Sequence, residues 1–162
     1  MDASKEIVEL ILRCKEKKLL IAIFGNGGSA ADAEHWVGEL VCTYQSKSRL
    51  PFLATALTTN SSILTAWSND FEYETVFERQ IKALQPILGL AIGLSTSGKS
   101  INVLNALSSA NKMGVKTVMI SGEVKKAESL SLHVIIPSNE TAVIQTITQI
   151  LYHSVCEELE DK

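Results

Sequence analysis

Along the chain the spacing of hydrophobic positions alternates between a helical and a strand-like rhythm, and the changes mark out its elements. Ile7, Val8, Ile11 and Leu12 recur at helical spacing among lysines and glutamates, which predicts a helix over 2–16. Residues 19–24 are apolar without interruption, as a strand buried on both faces requires. The small residues of 25–29 then form a turn, with Asn26 or Ser29 suited to cap a helix running to about Thr43. After a polar loop at 46–51, residues 52–57 read as a second short strand ending in a hydroxyl-rich loop at 58–62, which can cap the next helix. That helix covers about 62–67, with Ser68-Asn69-Asp70 as its break, and another helix follows over 74–84. A third strand is expected at 87–94, a second small-residue loop at 95–100, and a helix at 101–113 closed by Gly114. Residues 116–121 read as a fourth strand, 123–130 as a short helix and 133–136 as a fifth strand. A long last helix begins near Pro137-Ser138-Asn139-Glu140 and runs to about Glu160.

Strands that are apolar throughout and alternate with helices predict an α/β fold: a three-layer sandwich with a five-stranded parallel sheet between helices. The whole of 1–162 is expected to be one domain. Ligands of such sheets bind beyond the carboxyl ends of the strands. The loops at 25–29, 58–62 and 95–100 all leave strand carboxyl ends, so they are expected on one edge.

Composition narrows the choice of partner. With 46% hydrophobic residues the chain can bury a proper core, and a net charge of −3 without a long basic run argues against nucleic-acid binding. Cys14, Cys42 and Cys156 are isolated and odd in number, which suits reduced thiols in the cytoplasm rather than a disulfide frame or zinc knuckle. The polar start and charge-interrupted apolar segments suggest neither a signal peptide nor a membrane span. A cytoplasmic protein is expected.

Two nucleotide-like patterns lack their complements. Gly93-Leu94-Ser95-Thr96-Ser97-Gly98-Lys99-Ser100 satisfies GxxxxGK[ST] between a strand and a helix, but no strand ends in the aspartate that would help hold magnesium. Gly25-x-Gly27-x-x-Ala30 fits a loosened dinucleotide pattern, yet the acidic residue about 20 positions on is missing. No nucleotide cofactor is expected. Ser95, Thr96, Ser97 and Ser100 instead place four hydroxyls at a helix N-terminus, where they suit the terminal oxygens of a phosphomonoester; the alternative is a redundantly capped loop.

His35 and Glu39 share one helix face, placing an imidazole beside a carboxylate. They suit metal ligands, a base with its partner, or merely a polar helix face, and taken alone the polar face is the reading to prefer. The anion-binding turn and this pair are expected one to two helical turns apart, roughly 5–11 Å. Gln145 and His153 lie eight residues apart on the last helix, a rise of about 12 Å with a rotation of about 80°. They converge on one atom only at the limit of their reach, unless a second subunit supplies part of the site. His133 reads as structural, and Trp36, Trp67 and Tyr152 as packing residues.

Taken together, the segment Gly25-Asn26-Gly27-Gly28-Ser29 with Asp32, His35 and Glu39, the stretch from Ala56-Leu57-Thr58-Thr59 to Asn69-Asp70, the Ser95-Thr96-Ser97-Gly98 loop with Ser100, and Gln145 with His153 resemble the sugar isomerase (SIS) domains. Within them the chain is most similar to the phosphoheptose isomerases, over about residues 15–160. The resemblance implies a flavodoxin-like SIS fold and interconversion of sedoheptulose 7-phosphate with D-glycero-D-manno-heptose 7-phosphate through an enediol, for surface polysaccharide synthesis. It implies that Ser95, Thr96, Ser97 and Ser100 hold the phosphate. Asn26, Gly27, Gly28, Ser29, Asn69 and Asp70 would lie along the sugar chain, and Gln145 would also bind substrate. Glu39 would be the general base and His153 the general acid. His35, Glu39, Gln145 and His153 match the ligand set of the zinc-containing members, so one Zn2+ per subunit is expected. The family further implies a homotetramer with active sites at subunit interfaces.

The residue types suit the chemistry, since a carboxylate can move a proton between C1 and C2 while an imidazole serves the oxygens. Several positions depart from the family pattern. Lys99 stands where asparagine is usual, and it alone creates the GxxxxGK[ST] match. Thr43 replaces an arginine, although Lys47 and Arg49 are near. Thr146 and Thr148 replace an acidic residue and a histidine, and Glu123-Val124-Lys125-Lys126 replaces a loop commonly rich in Asp-Gly-Gly. The family also includes a non-catalytic adaptor of the same fold, so a sugar-phosphate sensor or protein-binding module is the alternative.

Overall fold

In the computed structural model, Leu20–Gly25 (β1), Ala54–Ala56 (β2), Leu88–Ser95 (β3), Lys116–Ser121 (β4) and Leu132–Ile135 (β5) form one sheet. The strands are all parallel and ordered β2-β1-β3-β4-β5. The structure describes residues 3–125, 127–160 and 162. The helices are Ala3–Lys17 (α1), Gly28–Val41 (α2), Ser61–Asp70 (α3), Val76–Leu84 (α4), Ile101–Lys112 (α5) and Thr141–Glu158 (α6), with a 3-10 turn at Tyr73–Thr75. The expected five-stranded parallel sandwich is therefore present, and its strand order is the flavodoxin-like one.

Alternation along the strands divides the core in two. Ile21, Ile23, Leu90, Ile92, Val118 and Ile120 face Ile7, Ile11, Trp36, Tyr152 and Val155 of α1, α2 and α6. Leu20, Ala22, Phe24, Ala91 and Met119 face Phe77, Ile81, Val103 and Leu107 of α4 and α5. From β1 the chain crosses to one side for β2, and from β3 to the other side for β4. Right-handed crossovers therefore put α2 and α5 on opposite faces. The same reversal opens the sheet edge between β1 and β3, where the 25–29 and 95–100 turns emerge.

Several expectations change. Neither Asn26 nor Ser29 caps α2; Gly27 does so, at φ 56° and ψ −122°, with no side-chain bond. The second strand shrinks to three residues at the sheet edge. Ser68-Asn69-Asp70 does not break α3, which continues to Asp70 with Ser68 Oγ donating to the Leu64 carbonyl within it. The hydroxyl-rich loop does lead into a capped start, but through the Asn60 side chain, which accepts from the Ile63 N–H. The helix expected at 123–130 does not form among its described residues (Lys126 lies outside them). Its backbone is engaged elsewhere: the Glu123 N–H donates to the Ser138 carbonyl and the Ala127 N–H to His133 Nδ1. Because Nδ1 accepts that bond, Nε2 carries the proton toward Ser121 Oγ at 2.9 Å, so His133 pins β4 to β5 and is structural. At the end of α5, Gly114 adopts φ 78° and the Val115 N–H returns to the Ala110 carbonyl, as a C-terminal glycine cap requires.

The cysteines differ in environment. Cys42 is exposed just after α2, while Cys14 and Cys156 are buried, and burial pushes their thiols up to about 11 and about 12. A thiol-reactive dye is expected to label Cys42 rapidly in the native protein and all three cysteines after unfolding. Fast native labelling at Cys14 or Cys156 would contradict the packing of α1 and α6.

Candidate active site

Two turns meet at the open sheet edge. Asn26, after β1, pairs reciprocally with Asn102 in the first turn of α5: Asn26 Nδ2 donates to Asn102 Oδ1 at 2.9 Å, and Asn102 Nδ2 donates to Asn26 Oδ1 at 2.8 Å. Asn26 Oδ1 also accepts from the Tyr73 hydroxyl at 2.8 Å. Asn102 is buried and takes the Val103 N–H as well, so its amide is fixed from three sides. Neither Asn102 nor Tyr73 stood out in the sequence. Asn102 reads there as an ordinary helix residue, and only its place just after a hydroxyl-rich loop hinted at more.

The 95–100 loop is shaped from within. Gly98 adopts φ 64° and its N–H closes on the Ser95 carbonyl, while the Lys99 N–H donates to Ser97 Oγ. Ser95 Oγ donates to Ser100 Oγ at 2.9 Å. Ser100 holds the N-cap position of α5 without making a side-chain cap bond, so the hydroxyls are not explained as redundant caps. Thr96, Ser97 and Lys99 instead line a surface cleft with Glu123, Asn139 and Thr141. Asn69 donates to Asp70 at the exposed end of α3, and this segment is tied to the first turn by Tyr73 rather than by either of them.

The acid–base cluster is set by the way α2 and α6 pack. They run side by side in parallel, with partners a constant 117 residues apart: Gln149 Nε2 donates to Asp32 Oδ1 at 3.0 Å, and the Tyr152 hydroxyl bonds His35 Nδ1 at 2.8 Å. In the same register the Gln145 amide lies against Gly28, where a Cβ would collide with it. Further along, His35 Nε2 meets Glu39 Oε1 at 3.0 Å. The ring of His153 stands edge-on to that of His35, with centroids 5.2 Å apart, and Tyr44 stacks on it at 5.8 Å. The donor atoms of His35, Glu39 and His153 all fall within 4.8 Å of one another. Two imidazoles and one carboxylate suit zinc and leave room for a further ligand. Gln145 stands eight residues before His153 on α6, a rise of about 12 Å, with its amide against Gly28.

Glu39 is braced from behind. Arg49 donates to the Glu39, Leu40 and Leu50 carbonyls, and its Nε reaches Glu160 Oε1 at 3.1 Å. A cation at a helix C-terminus opposes the partial negative charge there. Arg49 is thus committed to the end of α2 and does not offer a free guanidinium in place of the arginine that Thr43 lacks. Burial would raise the Glu160 carboxyl, but the Ser46 and Gln45 N–H groups and the Arg49 guanidinium outweigh it and hold the group below the usual carboxylate range.

The spacing from the turn to Glu39 is longer than expected. From Ser29 to Glu39 is ten residues of unbroken helix, about 15 Å. His35 lies within the expected two turns, and Glu39 lies beyond them. His35 is half-exposed and Glu39 partly so.

Comparison with known proteins agrees with this architecture. The SIS domain model matches residues 1–122. Phosphoheptose isomerase of Aliarcobacter butzleri is 43% identical over 145 residues, 88% of this chain and 76% of the relative; that of Aquifex aeolicus is 46% identical over 143 residues, 87% and 74%. The structure of phosphoheptose isomerase from Neisseria gonorrhoeae superposes with a TM-score of 0.84 at 32% identity, covering 98% of this chain and 85% of that one. The Francisella tularensis enzyme superposes at 0.89 with 25% identity, covering 99% and 86%. The fold and its open edge define an SIS domain, and the chain belongs within that group to the phosphoheptose isomerase family. The family is one of aldose–ketose isomerases.

The brace predicts a pH effect. With its pKa depressed by folding, Glu160 contributes stability that is present above the unfolded carboxylate range, about 4.3, and is lost as pH falls through the lower folded value. Glu160→Gln is expected to be less stable than the parent at pH 7, with the gap in denaturant midpoint closing toward pH 3. A gap independent of pH would refute the ion-pair account.

Proposed function

We propose that this isomerase interconverts sedoheptulose 7-phosphate and D-glycero-D-manno-heptose 7-phosphate through an enediol, acting as a single SIS domain over 1–162 in the cytoplasm and supplying heptose for surface polysaccharide. The observation that carries the reading is the convergence of His35, Glu39 and His153 on a chain of the isomerase family whose open sheet edge carries a hydroxyl-rich turn. In it, Ser95, Thr96, Ser97 and Ser100 bind the phosphate. Asn26, Gly27, Gly28, Ser29, Asn69 and Asp70 lie along the sugar, with Gln145 at the Gly28 end.

Glu39 is the general base that carries a proton between C1 and C2, and His153 is the acid that serves the carbonyl and hydroxyl oxygens. His35 engages Glu39 Oε1, which leaves Oε2 for the substrate. His35, Glu39 and His153, with Gln145 the fourth residue of the family set, would hold Zn2+, which would supply polarisation of the substrate carbonyl.

The reading includes a homotetramer with sites between subunits. Three observations support it. The trio is open to solvent in a single chain. The base lies about 15 Å along α2 from the glycine turn. Val143, Ile147 and Ile150 form an exposed apolar stripe on α6. Membrane insertion is not part of it: among the described residues no helix is long and apolar enough to cross a bilayer.

Incubation with sedoheptulose 7-phosphate and product identification is the direct test, alongside metal analysis of the purified protein. Glu39→Gln is expected to lower turnover by about 10²–10⁴-fold while sugar-phosphate binding stays within a few-fold. Turnover at the parent rate would remove Glu39 as base. A parent that binds the sugar phosphate without converting it would be a binding module instead. Composite sites predict that inactive Glu39→Gln and Thr96→Val chains, refolded together, regain part of the activity that neither has alone; no recovery would place each site within one subunit.

A further inference from the structure

We infer that Tyr152 is a positioning residue for His35: its hydroxyl, bonded to Nδ1, holds the ring in the setting that presents Nε2 to Glu39. The inference rests on the proposed role of the His35–Glu39–His153 cluster, and it concerns a residue whose pattern in the sequence reads only as packing.

The argument begins at the other ring nitrogen. An ionised carboxylate only accepts hydrogen bonds, so the 3.0 Å approach of His35 Nε2 to Glu39 Oε1 needs the proton on Nε2. In a neutral imidazole this leaves Nδ1 as a bare acceptor. Tyr152 places its hydroxyl 2.8 Å from that atom, so O–H donates to Nδ1 and completes a line Tyr152–His35–Glu39.

The phenol is well held for this task. Tyr152 is fully buried. Its ring stacks on Trp36 with centroids 5.5 Å apart and meets the rings of His35 and His153 edge-on at 5.4 and 4.7 Å. Burial, with Asp32, Cys156 and Glu39 nearby, raises its pKa, so the group keeps its proton. Asp32, the carboxylate one turn back on α2, is engaged by Gln149 and leaves His35 to the phenol.

A phenol also suits the reverse demand. If a cation occupies the cluster, Nε2 must offer its lone pair, and the ring proton then belongs on Nδ1. The same hydroxyl oxygen can accept that proton's hydrogen bond, because it is both donor and acceptor. Outer hydrogen-bond partners of this kind orient a histidine ligand and fix its tautomer. Phenylalanine would keep the packing and lose both functions.

The test compares the parent with Tyr152→Phe by 15N NMR of the metal-free protein at about pH 8, above the ordinary histidine range. The parent is expected to show His35 protonated at Nε2. The variant is expected to keep the Nε2 proton that Glu39 demands but to lose the single ring setting, with the His35 signals broadened or doubled, while the signal of His133, held by Ser121 and Ala127, stays fixed and reports an intact fold. In a Zn2+ competition titration against a chromophoric chelator, the variant is expected to bind about 10–100-fold more weakly. A single, sharp His35 environment in the variant, as in the parent, overturns the inference, and so does a parent protonated at Nδ1, which needs no variant at all. A parent that binds no zinc would remove the metal reading of the cluster and leave the NMR comparison to decide the role of Tyr152.

Discussion

The parallel packing of α2 on α6 is the constraint on which the rest of the site depends. Its adhesion is apolar: burying side chains the size of Trp36 and Tyr152 contributes about 1.5–3 kcal/mol or more each. Its register is polar. A slip of one helical turn would separate Asp32 from Gln149 and His35 from Tyr152, and a buried group left unpaired costs about 1–3 kcal/mol. Hydrophobic burial brings the helices together, and the hydrogen bonds select one of several otherwise similar alignments. That alignment puts His153 beside His35 and Glu39, and it puts Gln145 at the glycine turn.

The second constraint lies at the other end of α2. The reciprocal Asn26–Asn102 pair joins turns that leave β1 and β3, and Tyr73 adds the segment before α4. These turns sit at the reversal in strand order, where a parallel sheet leaves a crevice. The 95–100 loop is therefore built on a fixed frame, with its own hydroxyls already linked through Ser95 and Ser100. Arg49 and Glu160 do the corresponding work at the far end, tying the segment after α2 to the end of α6.

Much of this was legible in the sequence because the signals were local. Apolar runs such as Leu20–Gly25 and Lys116–Ser121 announce buried strands within a residue or so, and Gly114 ends its helix by a backbone conformation that glycine favours. The four hydroxyls of the 95–100 loop and the His35–Glu39 pair were visible for the same reason. What failed was decided by distant partners. Residues 123–130 have helical composition, yet Ser138 and His133 claim their N–H groups. Asn26 has the chemistry of a cap but is taken by Asn102, 76 positions away. Ser68 looked like a breaker and lies within its helix, its hydroxyl bonded back one turn. Arg49 looked like a spare cation and is buried against Glu160. Tyr152 looked like packing because its ring does pack, and only the position of its oxygen relative to His35 shows more.

The offset of 117 residues also has a consequence in time. During synthesis β1, its glycine turn and the whole of α2 leave the ribosome long before residues 145–153 exist, so Glu39 and His153 cannot meet until the last helix docks. Contacts of such sequence separation form late, after loop closure has been overcome. A partly folded chain therefore carries a carboxylate and an imidazole that are chemically idle. The cluster of His35, Glu39 and His153 comes together only as folding finishes.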